Sequence, residues 1–167
     1  MYVMQAKRRT TLTSPARKRI AITVFLVFAL DNVSKSLAIK FLHDQPVQIL
    51  GRFLTLHLRF NSGAAFSLGT SRTLVFSSIA IAAVAGLLVY AKRVTNAWWA
   101  LALGLILGGV LGNLSDRIFR PPGFLQGQVV DWIELPHWPT FNVADSSIVG
   151  AAVLVVLLSA RNIKPTD

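Results

Sequence analysis

Long apolar runs separated by short polar stretches organise the chain. Ile20–Phe41 reads as one helix, long enough at about 1.5 Å per residue to cross a hydrocarbon core of about 30 Å. Its first part, Ile20–Leu30, has the length of a signal-peptide core. No convincing small-x-small site follows, however, and the apolar pattern resumes at Leu37, Ala38, Ile39, Phe41 and Leu42. Further spans are expected at Leu74–Tyr90, Trp98–Ile118 and Val143–Leu158. Gly104, Gly108 and Gly112 recur every fourth residue in the third span, a spacing that lets another helix approach closely. Between the spans, Val47–Leu50 and Phe53–Phe60 favour strand, the second alternating Leu54, Leu56, Leu58, Phe60 with Thr55, His57, Arg59. A small sheet lying against the membrane fits segment 43–72. Segment 119–140, with Pro121, Pro122, Gly123, Pro136 and Pro139, reads as irregular.

Composition agrees with a membrane protein of one domain. Of 167 residues 53% are hydrophobic and 14% charged, against about 25% charged in soluble domains. Mean hydropathy is +0.56. The net charge of +10 does not point to nucleic acid, because the basic residues cluster between apolar runs rather than along a solvated face. Their distribution predicts topology. The basic tail 1–19, with Lys7, Arg8, Arg9, Arg17, Lys18 and Arg19, the Lys92–Arg93 turn and the tail 162–167 with Lys164, next to Arg161, would share the cytoplasmic side. Segments 43–72 and 119–140 would face outward, although they also hold Arg52, Arg59, Arg72 and Arg120. The membrane domain proper is then 20–161, with spans at about 20–41, 74–90, 98–118 and 143–158. Cysteine is absent, which excludes disulfides and thiol chemistry. His43, His57 and His137 are scattered without a His-Glu-x-x-His motif, so neither a metal site nor a cofactor is expected.

The polar residues inside this apolar chain converge in level. Asp31 stands eleven residues beyond Ile20, about 16 Å along the first helix, and Lys35 a further turn outward. Asn61 falls in the first outward segment, Asn113, Asp116 and Arg117 at the outward end of the third span, and Asp131 in the second outward segment. Asn142 and Asp145 open the fourth span. All of them reach the outer leaflet, where a charged side chain is costly and marks a functional site by default. The plainer readings are ion pairs for Asp31–Lys35 and Asp116–Arg117, and hydrogen-bond braces for Asn61, Asn113 and Asn142. Asp131 and Asp145 have no obvious local basic partner, and two acids delivered to one place suit shared-proton chemistry.

With these residues in order, the chain resembles the signal peptidase II family, aspartic membrane proteases of bacteria. Asp31-Asn-Val-Ser-Lys35, Asn61-Ser-Gly-Ala-Ala-Phe-Ser67, Gly108-Gly-Val-Leu-Gly-Asn-Leu-Ser-Asp-Arg117, Val129-Val-Asp131 and Phe141-Asn-Val-Ala-Asp145 carry the likeness, in register from the first span to the last. The resemblance implies an all-α membrane protein of four transmembrane helices with cytoplasmic termini, a small extracytoplasmic β-cradle and a short surface helix. It implies Asp131 and Asp145 as the catalytic pair. Asp31, Lys35, Asn61, Gly63, Asn113, Arg117, Asn142 and Ala144 would support or line the site, and Asp116 would pair with Arg117. Asn32 stands where the family usually has Gln, and the Arg120–Gln126 stretch lengthens the path to Asp131.

The implied reaction is removal of the signal peptide from a diacylglyceryl-modified prolipoprotein, just before the lipid-modified cysteine, in the cytoplasmic (inner) membrane. The partners are then these prolipoproteins and membrane lipids, with no nucleic acid, and the chain is expected to act as a monomer. One ionised carboxylate takes a proton from water while its protonated partner polarises the scissile carbonyl. A proton- or ion-coupled transporter is the main rival, and it requires polar residues through both leaflets. A non-catalytic assembly subunit is the second.

Overall fold

The computed structural model describes residues 15–43, 45–51, 53–63 and 71–166. In order these form α1 (Pro15–Phe41), β1 (Val47–Gln48), β2 (Thr55–Asn61), α2 (Ser71–Ala91), α3 (Ala97–Phe119), β3 (Val129–Glu134) and α4 (Val143–Ala160). All four helices are long and apolar enough to cross a membrane. Helix α1 begins at Pro15, five residues before the apolar run, because hydropathy marks the lipid-crossing part and not the helix end. Proline suits a first turn, where its missing N–H has no intrahelical acceptor anyway. The rest of the expected basic tail, 1–14, lies outside the described residues.

Helix α3 is the axis of the bundle. One side of α1, with Thr23, Val27 and Asp31 a turn apart, runs along the glycine stripe of α3. A methyl group on Gly104 would meet Thr23, one on Gly108 would meet Val27, and one on Gly112 would meet Asp31. Gly109 presses its α-carbon against the Ala144 carbonyl and Ile148 of α4. Without side chains at these positions, α1 and α4 both reach α3 at backbone distance. Outward-pointing residues such as Phe25, Leu26, Val75 and Leu88 are large, apolar and exposed, as the lipid-facing side of a membrane bundle requires.

The two ends of the bundle differ. At one end the Arg19 guanidinium donates to the Ala97 carbonyl at 3.3 Å, and the Thr95 and Asn96 amides donate to Pro165 at 3.0 and 3.1 Å. The start of α1, the α2–α3 turn and the C-terminal segment therefore meet there. The other end carries an antiparallel sheet ordered β1-β2-β3. The expected strands fall at β1 and β2. β3 corrects the reading of 119–140 as wholly irregular: Val129, Val130, Trp132 and Ile133 are good strand formers, but the acid among them and the flanking prolines obscured the run. The expected short surface helix is not among the described residues, and the Ala64–Ser67 part of the Asn61–Ser67 motif also lies outside them.

Candidate active site

The sheet end gathers polar groups from α1, β2, α3, β3 and α4. Lys35 is its innermost cation, fully buried, and its ammonium meets Asp31 at 2.6 Å, Asp116 at 2.8 Å and the Asn113 side-chain oxygen at 3.0 Å. The two carboxylates hold it as ion pairs and the Asn113 oxygen accepts a hydrogen bond from it. Asp31 also accepts the Ala144 N–H at 2.9 Å, placing a carboxylate at the N-terminus of α4 where backbone donors have no intrahelical acceptor. Ala144 is completely buried beneath this contact.

The ion pairs of Asp116 are with Lys35 and Arg120 rather than with Arg117. Consecutive helical residues point about 100° apart, whereas residues four apart stack, so Arg120 rather than Arg117 reaches the carboxylate. The other use of Asp116 is structural: it accepts the Val130 N–H at 3.1 Å and thereby fastens β3 to α3 next to Asp131.

Asp131 is held by asparagines. The Asn61 amide donates to one carboxylate oxygen at 2.9 Å and the Asn142 amide to the other at 2.7 Å. In the β2–β3 register Asp131 lies opposite Arg59, so Asn61 approaches diagonally, within the reach expected of same-face neighbours. Gly63 turns the chain at φ +79° and donates its N–H to the Asn61 oxygen at 2.7 Å, which aims the amide nitrogen at Asp131. Burial pushes the Asp131 pKa up to about 6; the Asn61 bond opposes the rise and the charge of Asp145 adds to it.

Asp145 sits in the first turn of α4 inside a capping box. The Asn142 side-chain oxygen accepts the Asp145 N–H at 2.9 Å, and the Asp145 carboxylate accepts the Asn142 N–H at 3.3 Å. Its other oxygen accepts the Asn113 amide at 2.7 Å. Asn142 is thus common to both acids, and it also donates to Asn113 at 3.1 Å and to the Val130 carbonyl at 3.2 Å. Among the described residues neither Asp131 nor Asp145 forms an ion pair. Arg117 interacts electrostatically with Asp131, Asp116 and Asp145, and its Nη1 is buried without a hydrogen-bond acceptor among the described residues.

Every site residue expected from the sequence lies in or against this network. Asn32, one turn before Ser36, spans to α3 through the Ser115 hydroxyl at 3.3 Å, so the shorter amide still makes a cross-helix contact. Sequence reasoning missed Arg120 as the partner of Asp116 and the Val130 backbone as a link; the i,i+4 spacing of Asp116 and Arg120 was the available signal. Gly127 was missed too. It packs its α-carbon onto the last carbonyls of α3 and donates to Arg117 O at 3.0 Å, seating the Arg120–Gln126 insertion. Among the described residues no group of three or more His, Asp or Glu could hold a metal ion.

The family model described as "Signal peptidase (SPase) II" matches residues 23–161. A "Lipoprotein signal peptidase" of Mycobacterium avium is 50% identical over 147 residues, covering 87% of this chain and 81% of the relative. One from Rhodococcus jostii is 41% identical over 155 residues, covering 92% and 78%. Among solved structures, a bacterial membrane enzyme determined by the in meso method at 1.9 Å superposes with a TM-score of 0.74 at 25% identity, covering 84% of this chain and 91% of that one.

Proposed function

The chain belongs to the signal peptidase II family, and on that premise we propose that it is a lipoprotein signal peptidase in which Asp131 and Asp145 together activate the hydrolytic water. The observation that supports this most is their shared bracing by Asn142, with no cation paired to either among the described residues. Two neighbouring carboxylates resist ionising together and hold one proton between them, and that proton belongs to the pair. The ionised member removes a proton from water, which attacks the scissile carbonyl carbon. The protonated member donates to the carbonyl oxygen, and proton return to the amide nitrogen releases the signal peptide.

The surrounding residues have distinct parts in this reading. Asn61, Asn113 and Asn142 present N–H donors that hold the carboxylates in place. Lys35 is ion-paired to Asp31 and Asp116 and hydrogen-bonded to Asn113, so it braces the site from behind. Arg117, whose Nη1 has no acceptor among the described residues, donates to a substrate carbonyl.

The substrate is a prolipoprotein carrying a diacylglyceryl-modified cysteine, cleaved just before that cysteine. Its acyl chains stay in lipid while the peptide enters from the side. The basic residues at the opposite end of the bundle, Arg17, Lys18, Arg19, Lys92, Arg93 and Arg161, support cytoplasmic termini and a site at the outer face of the inner membrane. Since the chain has no cysteine, impermeant maleimide labelling of Gly123→Cys and Lys164→Cys in intact cells tests this: label on Lys164→Cys alone reverses the topology. The transporter reading has little support, because among the described buried residues the half of the bundle away from the sheet holds Thr23 as its polar side chain and no charged one.

The deciding assay is cleavage of a lipid-modified prolipoprotein by the purified chain. Asp131→Asn and Asp145→Asn are each expected to lose at least about 100-fold in rate. Undiminished cleavage by either removes the pair from the mechanism. Equal cleavage of a substrate lacking the diacylglyceryl group removes the lipid requirement.

A further inference from the structure

A large cavity lies far from the acids, at the basic end of the bundle. It is an open cleft of about 670 Å³ between α1 and α2, floored by Leu107 and Leu111 of α3. Helix α2 packs on α3 but makes no comparable contact with α1, and it is the least buried of the four helices. Its Val84 and Ala91 form one wall, opposite Ile20 and Phe28 of α1. The lining is apolar except at the mouth, where Arg17 faces in. Lys92 and Arg93, both exposed, follow Ala91 directly and bring two more positive charges to the same end.

We propose that this cleft binds one acyl chain of an anionic phospholipid, with the phosphate at the basic mouth formed by Arg17 and the Lys92–Arg93 turn. The length of the cleft fits that occupant. Arg17 and Phe28 are eleven residues apart on α1, about 16 Å at the helical rise, and one leaflet contributes about half of a 30 Å hydrocarbon core. A single chain entering beside Arg17 therefore ends near Phe28 and Leu111, where the cleft ends. The charge fits as well, since basic pockets between membrane helices select acidic headgroups and each nearby Lys or Arg contributes to the attraction. The bound chain fills the gap left by the missing α1–α2 contact, so it holds α2 against the bundle. This site is separate from the acids and does not rest on the proposed reaction.

The test is lipid retention. The full chain is purified from bilayers of equal phosphatidylglycerol and phosphatidylcholine, and the lipid it keeps is measured by native mass spectrometry. One retained phosphatidylglycerol per chain is expected. Arg17→Gln and Lys92→Gln should each weaken the preference for the acidic lipid by about fivefold. Ala21→Trp fills the cleft from α1 and should abolish retention and lower the melting temperature gain on adding phosphatidylglycerol; Leu88→Trp supplies the same bulk from α2 if the first variant does not fold. Equal retention of both lipids, or retention unchanged in a folded tryptophan variant, overturns the proposal. So does a tryptophan variant that keeps the lipid but raises KM for prolipoprotein, which would assign the cleft to the signal-peptide helix.

Discussion

The Asn142 side-chain amide donates to Asp131 at 2.7 Å, and through its backbone the same residue meets Asp145 in the capping box. One residue therefore sets the position of both acids, and its helix-capping role can be separated from its amide. Asn142→Ser keeps an N-cap oxygen, so the helix should lose only a fraction of the ~1 kcal/mol a cap contributes. It removes the amide donor to Asp131, Asn113 and Val130. Cleavage should fall about 100-fold, the cost typical of misplacing a reacting group by about 1 Å, while the melting temperature moves by a few degrees. Wild-type rates in Asn142→Ser would show that the shared asparagine does not position the pair.

Lys35 balances Asp31 and Asp116 inside the bundle with no exposed surface. Removing it leaves buried carboxylates without their cation, a change that costs about 3–5 kcal/mol. Lys35→Met should lower the melting temperature in detergent strongly. Lys35→Met combined with Asp31→Asn should recover part of that loss, because one of the stranded charges is gone. Additive losses in the double variant would mean the two side chains are not coupled.

The helices and the gathering of polar groups were legible in the sequence for a physical reason. A bilayer demands about 20 apolar residues per span, so Asp31, Lys35, Asp116 and Asp145 stand out against that background and their depth follows from counting. What was not legible depends on lateral contact. Asp116 looked like a partner for its neighbour Arg117, but the helix turns it toward Lys35 and Arg120. β3 was hidden because the acid that makes Val129–Glu134 interesting also breaks its hydrophobic pattern. The bridge through Asn142 arises only when β3 packs beside the start of α4, held there by the Phe141–Ile133 pairing, and no spacing along the chain encodes it.

Asp131 gives stability a defined pH dependence. Its carboxyl titrates near 3.8 when unperturbed and at about 6 in the folded chain, chiefly through burial. Between those values the folded state holds more of the proton than the unfolded state, so its contribution is fully present below about pH 4 and is lost as pH rises through about 6. The shift corresponds to about 3 kcal/mol in total. Thermal unfolding of wild type should show declining stability across this window from this group, and Asp131→Asn should flatten the slope. In Asp145→Asn the neighbouring negative charge is gone, so the Asp131 carboxyl band followed by infrared titration should move to lower pH. An unmoved band would mean the two acids do not sense each other.

Two sets of glycines should respond in opposite ways to the same added methyl group. At Gly109 it would lie against the Ala144 carbonyl and Ile148, and at Gly112 against Asp31 and Ala144, all parts that hold the start of α4. The Ala144 backbone at Gly109 and the buried, ion-paired Asp31 carboxylate at Gly112 cannot yield as a free side-chain end would, so Gly109→Ala and Gly112→Ala should each cost about 1–3 kcal/mol. They should also slow cleavage, because pushing α4 outward displaces Asn142 and Asp145 together. Gly86 and Gly150 are helical and have nothing within 4 Å of the added carbon. Gly86→Ala and Gly150→Ala should stabilise by about 0.4–1 kcal/mol by restricting the unfolded chain, with cleavage unchanged. Melting temperatures and rates measured on the four variants side by side test the packing of α4 on α3: if Gly109→Ala behaves like Gly150→Ala, the close approach that brings Asp145 into the site is not tight.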